Sequence, residues 1–212
     1  MKLYSTVWKE AAAEQIIEKS RFIAHVKPVE TKEEADAFIT SIRKTYRDAT
    51  HNVPALVLGN QFQMQWASDD GEPQGTSGAP IVQMLVKEGI TNVAVVVTRY
   101  FGGIKLGTGG LVRAYTGSAK LGIQAAGICD VEKMEILTYE TEYACLPKLQ
   151  NGQREGRLRI ETVRYTDVVS LDLSCRPEDR AQTERYLSDM TAGKGVLKGC
   201  EERLIRIPRG KE

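Results

Sequence analysis

The densest apolar stretch of the chain, Asn92-Val93-Ala94-Val95-Val96-Val97, is continuous and β-branched, the pattern of a buried strand. Leu111 to Ala126 has helix length, helix-compatible residues and no proline. Between them runs Thr98-Arg99-Tyr100-Phe101-Gly102-Gly103-Ile104-Lys105-Leu106-Gly107-Thr108-Gly109-Gly110, so the spacing predicts a glycine-rich strand-to-helix turn with Thr108 as the helix N-cap. Upstream, Arg21 to Val26 alternates as a strand that stops at Pro28. Thr31 with Glu34 forms a capping box, and Ala35, Phe38, Ile39, Ile42 and Tyr46 then give one apolar helical stripe. Val53 to Leu58 and Phe62 to Ala67 read as strands of a hairpin turning at Gly59-Asn60, with Phe62, Met64 and Trp66 on a packed face. Ser68 to Pro80 is a polar, glycine-rich loop, and Thr76 or Ser77 is expected to cap the helix that follows.

Texture changes after Gly127–Asp130. Val131 to Ala144 reads as a strand, and within Leu146 to Gln150 a short helix begins at Pro147, with Asn151-Gly152 and Gly156 leaving it little length. Leu158 to Tyr165 and Val168 to Cys175 are strands, a helix starts at Pro177, and Val196 to Ile207 closes as a strand. The order β-α-β-β-α-β is the ferredoxin-like split motif. An α+β class with two domains, 1–130 and 131–212, is the predicted organisation.

Composition changes this picture little. With 212 residues, 42% hydrophobic and 27% charged, the chain is of ordinary globular make-up, and a formal net charge of +1 makes any nucleic-acid contact a matter of a local patch. No apolar run approaches the roughly 20 residues of a membrane helix, and the first ten residues lack a signal-peptide core. Cys129, Cys145, Cys175 and Cys200 are far apart without a Cys-x-x-Cys pair, which argues against a zinc site and suits reduced thiols in the cytoplasm.

Local charge matters more. From Gly89 to Cys129 there is no Asp or Glu, yet Arg99, Lys105, Arg113 and Lys120 occur there. Together with the amides of Gly109 and Gly110, they predict an anion-binding helix start, where Tyr100 and Phe101 can stack on bases. The turn lacks the Gly-Lys-Ser/Thr of a P-loop and the last glycine of a dinucleotide fingerprint, so no nucleotide cofactor is expected. A secondary polar cluster is Asp69, Asp70, Glu72, Thr76, Ser77 and His51. Its three carboxylates suit a hard cation such as Mg²⁺ or, the reading adopted, pair with the basic rim; no metal is assigned. His25 and His51 stand beside no nucleophile motif, and no catalytic residue is assigned.

Ser68-Asp69-Asp70-Gly71-Glu72-Pro73, Gly75-Thr76-Ser77-Gly78 and above all Val95 to Tyr115 resemble the YigZ/IMPACT family, and Lys19 to Ala24 and Ala49 to Asn52 fit its earlier blocks. Departures are Gln74, Ala79 where arginine is usual, and the glycine-broken helix after Pro147. The resemblance implies a ribosomal-protein-S5 domain 2-like fold followed by a ferredoxin-like domain, a pairing similar to the last two domains of elongation factor G. It implies a link to regulation of translation. The partner-binding extension of eukaryotic members has no counterpart here, so that partner does not carry over. The expected function is binding of RNA or the ribosome without a cofactor. The alternatives are a metal-dependent enzyme acting on an anionic or phosphorylated substrate, and a protein-binding regulator that uses the C-terminal half.

Overall fold

The computed structural model describes residues 2–210. Its elements are β1 (Lys2–Val7), β2 (Ala11–Ile17), β3 (Ser20–Pro28), α1 (Lys32–Thr45), β4 (His51–Leu58), β5 (Met64–Ala67), α2 (Gly78–Lys87), β6 (Val93–Tyr100), α3 (Gly107–Ala126), β7 (Ile128–Thr141), α4 (Leu146–Arg154), β8 (Ile160–Tyr165), β9 (Val169–Cys175), α5 (Arg180–Thr191) and β10 (Val196–Pro208). The class is mixed α and β. Two compact units are formed, Lys2–Val131 with the chain from Arg206 onward, and Glu132–Ile205. Among the described residues no helix is long and apolar enough to cross a membrane.

The N-terminal unit is built on an antiparallel sheet in the order β2-β3-β6-β4-β5. Strand β6 is central, which explains its unbroken apolar run. Val93, Val95 and Val97 point into a core shared with α2 and α3, while Ala94 and Val96 point into a second core shared with α1. Register carries this across the sheet, because Val53, Ala55 and Val57 of β4 join the first core and Leu56 and Leu58 the second. Helix α1 starts as its capping box requires, with the Glu34 amide donating to Thr31 Oγ1 at 3.2 Å, and buries Ala35, Phe38 and Ile39. The chain from Arg206 returns to this unit, where Arg209 donates to Asp130 at 2.8 Å and to Ser5 Oγ at 2.7 Å.

Two expectations need correction here. Met64 and Trp66 share a face with Leu58 and Leu56, yet they are exposed by 42% and 43%. Strand β5 is the sheet edge, and α1 packs over β4 and β6 instead. Phe62 lies before the strand, in the turn, with a positive φ of 58°.

In the C-terminal unit, β7 lies between β9 and β10 and β8 flanks β9. Leu149 of α4 and Leu187 of α5 pack on Tyr139, Val169, Leu171 and Leu173. Helix α4 runs through Asn151-Gly152 to Arg154 rather than ending at Gln150. Gly152 does not break it; a Cβ there would lie 2.6 Å from the Tyr186 hydroxyl, so the glycine admits the neighbouring α5.

His25 sits on the α1 side of β3, 6% exposed, its ring 4.7 Å from that of Tyr46. Its Nε2 is buried without a hydrogen-bond partner among the described residues. Burial holds its pKa below the usual value, with the Glu10 carboxylate opposing. The unfolded chain therefore takes up this proton first, and the stability His25 contributes is present above about pH 6.5 and lost as pH falls below it. Thermal melts at about pH 7.5 and about pH 5 are expected to show a smaller loss for His25→Leu than for the wild type; equal losses would contradict the assignment.

Candidate functional site

In the register of the sheet, Arg99 of β6 stands between Phe22 of β3 and His51 of β4. Its side chain lies on the α3 side, where Phe22 and Tyr115 pack edge to face. Arg99 is 4% exposed. It donates through Nη1 to Glu72 Oε1 at 2.6 Å and through Nη2 to Ser20 Oγ at 3.4 Å. The rings of Phe22 and Phe101 lie 5.4 and 5.3 Å from the guanidinium carbon, within cation–π range. Tyr115 donates to the same Glu72 oxygen at 2.7 Å. Burial, then the bond to Glu72, pushes the phenol pKa far up, so Tyr115 remains a donor. His51 Nδ1 lies 2.8 Å from the Asp70 carbonyl, which can only accept, so Nδ1 carries the proton. Its Nε2 faces Glu72 Oε1 at 3.7 Å.

The other two carboxylates of this loop are also engaged. Asp69 accepts from the amides of Gly75, Ser77 and Gly78 and from the Ser77 hydroxyl at 2.7–3.2 Å. Burial alone would raise its pKa, but those bonds, led by the Gly75 amide, hold it below the usual value. Asp69 thus caps α2 from nine residues upstream, and the Ser77 hydroxyl donates to it rather than capping the helix itself. Thr76 Oγ1 donates to the Pro73 carbonyl at 2.7 Å. Asp70 accepts from Arg43 at 2.9 Å and from the Asn52 amide at 2.6 Å. Pairing with the basic segment is therefore confined to Glu72 and Arg99. Among the described residues, no group of three or more His, Cys, Asp or Glu is placed to hold a metal.

The glycine-rich turn leaves β6 through Gly102, where a Cβ would lie 2.1 Å from the Lys19 carbonyl group. No other residue fits against the β2–β3 hairpin turn there. Helix α3 starts at Gly107, one residue before the expected cap; Leu106 is the N-cap, and Thr108 lies in the first turn without capping. Gly109 has open space around it, and the first turn contains no acidic residue. Lys105, Gly110 and Arg113 line one concavity of about 420 Å³. Both cations are exposed, and neither forms an ion pair among the described residues.

The predicted basic rim is thus only partly assembled. Arg99 is not on it, being buried against Glu72. Lys120 is exposed but pairs with Glu88 at 2.9 Å. Tyr100 is half-buried, donates to Asp48 at 3.1 Å and lies under Arg21. Phe101 is 45% exposed, with Arg99 near its ring. Sequence reasoning missed Ser20 and Tyr115, which complete the Arg99–Glu72 network, and Ile17 and Glu18, which line the concavity. No local signal marks Ser20, which lies 79 residues from Arg99.

Residues 18–123 match the family described as the Impact N-terminal domain. An IMPACT family member of Bacillus subtilis, YvyE, is 38% identical over 198 residues, covering 93% of this chain and 91% of its own. The chain belongs to the IMPACT family. An IMPACT family member of Haemophilus influenzae is 45% identical over 194 residues, covering 89% of this chain and 92% of its own. A crystal structure described only as that of a hypothetical protein superposes with a TM-score of 0.59 at 31% identity, covering 93% of this chain and 97% of that one. The segment matched by the IMPACT domain family contains the polar loop, the buried network and the whole glycine-rich turn.

Glu72→Gln is expected to destabilise the protein by about 3–5 kcal/mol, because it leaves the Arg99 charge buried and uncompensated. Tyr115→Phe should cost about 1–3 kcal/mol, and the double variant less than the sum, since both bonds end on one oxygen. Urea unfolding measures all three, and a stability loss near zero for Glu72→Gln would refute the network. Asp69→Ala should cost about 1–2 kcal/mol near neutral pH. That difference should fade as the pH falls below about 4, where the carboxylate protonates and its contribution is lost.

Proposed function

We propose that this IMPACT-family protein binds RNA, in the setting of the ribosome and the regulation of translation, through the open amino end of α3. The observation that carries the reading is a contrast between two glycine-rich helix starts. The amino end of α2 is neutralised by the chain's own carboxylate, Asp69. The amino end of α3 has no acid in its first turn, and exposed Lys105 and Arg113 flank it. Unpaired amides, a helix dipole and two cations together favour phosphate oxygens. Phe101 adds an exposed aromatic surface beside them. The translational setting rests on the family resemblance read from the sequence.

Reading the loop carboxylates as metal ligands for catalysis is disfavoured, because Asp69, Asp70 and Glu72 are already engaged by amides and guanidinium groups. We also infer the finer fold names from the same resemblance. The C-terminal order β10-β7-β9-β8, with α4 and α5 packed on one side, supports a ferredoxin-like unit. The domain 2-like character of ribosomal protein S5 is proposed for the N-terminal unit.

Fluorescence anisotropy with single-stranded RNA at two salt concentrations tests the function. Lys105→Ala/Arg113→Ala is expected to bind more weakly, with a log–log salt slope shallower by about 1.4, the loss of two phosphate contacts to a single strand. Equal affinity and an unchanged slope would overturn the assignment.

A further inference from the structure

The concavity beside Lys105 and Arg113 has more chemistry than phosphate binding requires. Its floor is apolar, formed by Ile17, Ile104 and Leu106, and its rim carries Glu18 as well as the two cations. At about 420 Å³ it falls in the size class of small-molecule sites, which combine an apolar lining with a few polar groups that set orientation. Ile104 is 37% exposed, so this floor is accessible to solvent.

A continuous duplex presents phosphates and ribose to a surface but keeps its bases paired and stacked. Phosphates alone would leave the apolar floor uncovered and would be repelled by Glu18. Glu18 forms no ion pair with either cation although it lines the same space. It therefore offers acceptor oxygens to a donor-bearing ligand. The occupant these features suit has an anionic end, an apolar face and an N–H or amino donor. A nucleotide with an unpaired base has all three. Its phosphate lies between Lys105 and Arg113, its base covers Ile17, Ile104 and Leu106, and its donor edge faces Glu18.

Resting on the RNA reading above, we propose that this concavity accepts one unpaired nucleotide, so that the protein selects single-stranded over double-stranded RNA. The apolar floor then favours a nucleotide over inorganic phosphate, which has no base to cover Ile17, Ile104 and Leu106 while a donor edge reaches Glu18.

The test compares three proteins, wild type, Ile104→Ala and Lys105→Ala/Arg113→Ala, each against a single-stranded RNA and a blunt duplex of equal length. Thermal melts confirm that the variants are folded. The expected result is about tenfold tighter binding of the single strand by the wild type. Ile104→Ala should lose about three- to tenfold on the single strand and little on the duplex, while the double variant weakens on both. A parallel calorimetric titration should show adenosine monophosphate binding the wild type more tightly than inorganic phosphate. Equal binding of both RNA forms, with Ile104→Ala unchanged and the double variant weakened, would overturn the nucleotide pocket and leave the RNA reading standing. Absence of binding to either RNA would overturn both.

Discussion

Taking a carboxylate and a guanidinium out of water costs several kcal/mol for each charge unless partners replace the lost solvent, and the Glu72–Arg99 pair places that demand on the N-terminal unit. Four parts of the chain meet it. The polar loop supplies Glu72, β6 supplies Arg99, α3 supplies the Tyr115 hydroxyl, and β3 supplies the Ser20 hydroxyl and the Phe22 ring. None of these can move far without exposing an uncompensated charge. The glycine-rich turn begins two residues after Arg99, so its exit from the sheet is held by this pair, and Ser20 fastens it again by accepting from the Gly102 amide at 3.2 Å.

That constraint sorts the charges of an almost neutral chain by direction. The acids of the polar loop are engaged by Arg99, by backbone amides and by Arg43. Lys105 and Arg113 face solvent around a concavity. A net charge of +1 gives the chain no general field for a polyanion, so the local arrangement of charge, rather than the total, is what distinguishes this surface. Asp69 strengthens the separation by neutralising the α2 dipole internally, whereas the first turn of α3 holds no acid and two exposed cations line the concavity beside it.

Much of the fold is legible because it follows from local periodicity. The β-branched run before Thr98, the Thr31 capping box with its stripe, and the β-α-β-β-α-β order of the second half all appear where pattern placed them. Each of these depends on residues within a turn or a strand of one another. The misses have another origin. Met64 and Trp66 alternate as a buried face would, but alternation does not say whether a strand lies at the sheet edge. Gly152 looks like a helix breaker until Tyr186, 34 positions later, packs against it. Arg99 reads as a phosphate ligand by company, since its neighbours in sequence are basic and acid-free, but its neighbours in space include Glu72.

The amino-acid order by itself determined the main succession of helices and strands, the family and the short segment that carries the cations, since all three are encoded in contiguous residues. Tertiary structure alone decided which of those cations face water. Burial and ion pairing join residues 27 to 79 positions apart, as at Arg99 with Glu72 and with Ser20, and nothing in a local pattern reports a partner at that distance. The same holds for the floor of the concavity, where Ile17 meets Ile104 only because a hairpin turn and a glycine-rich loop converge at one end of the sheet.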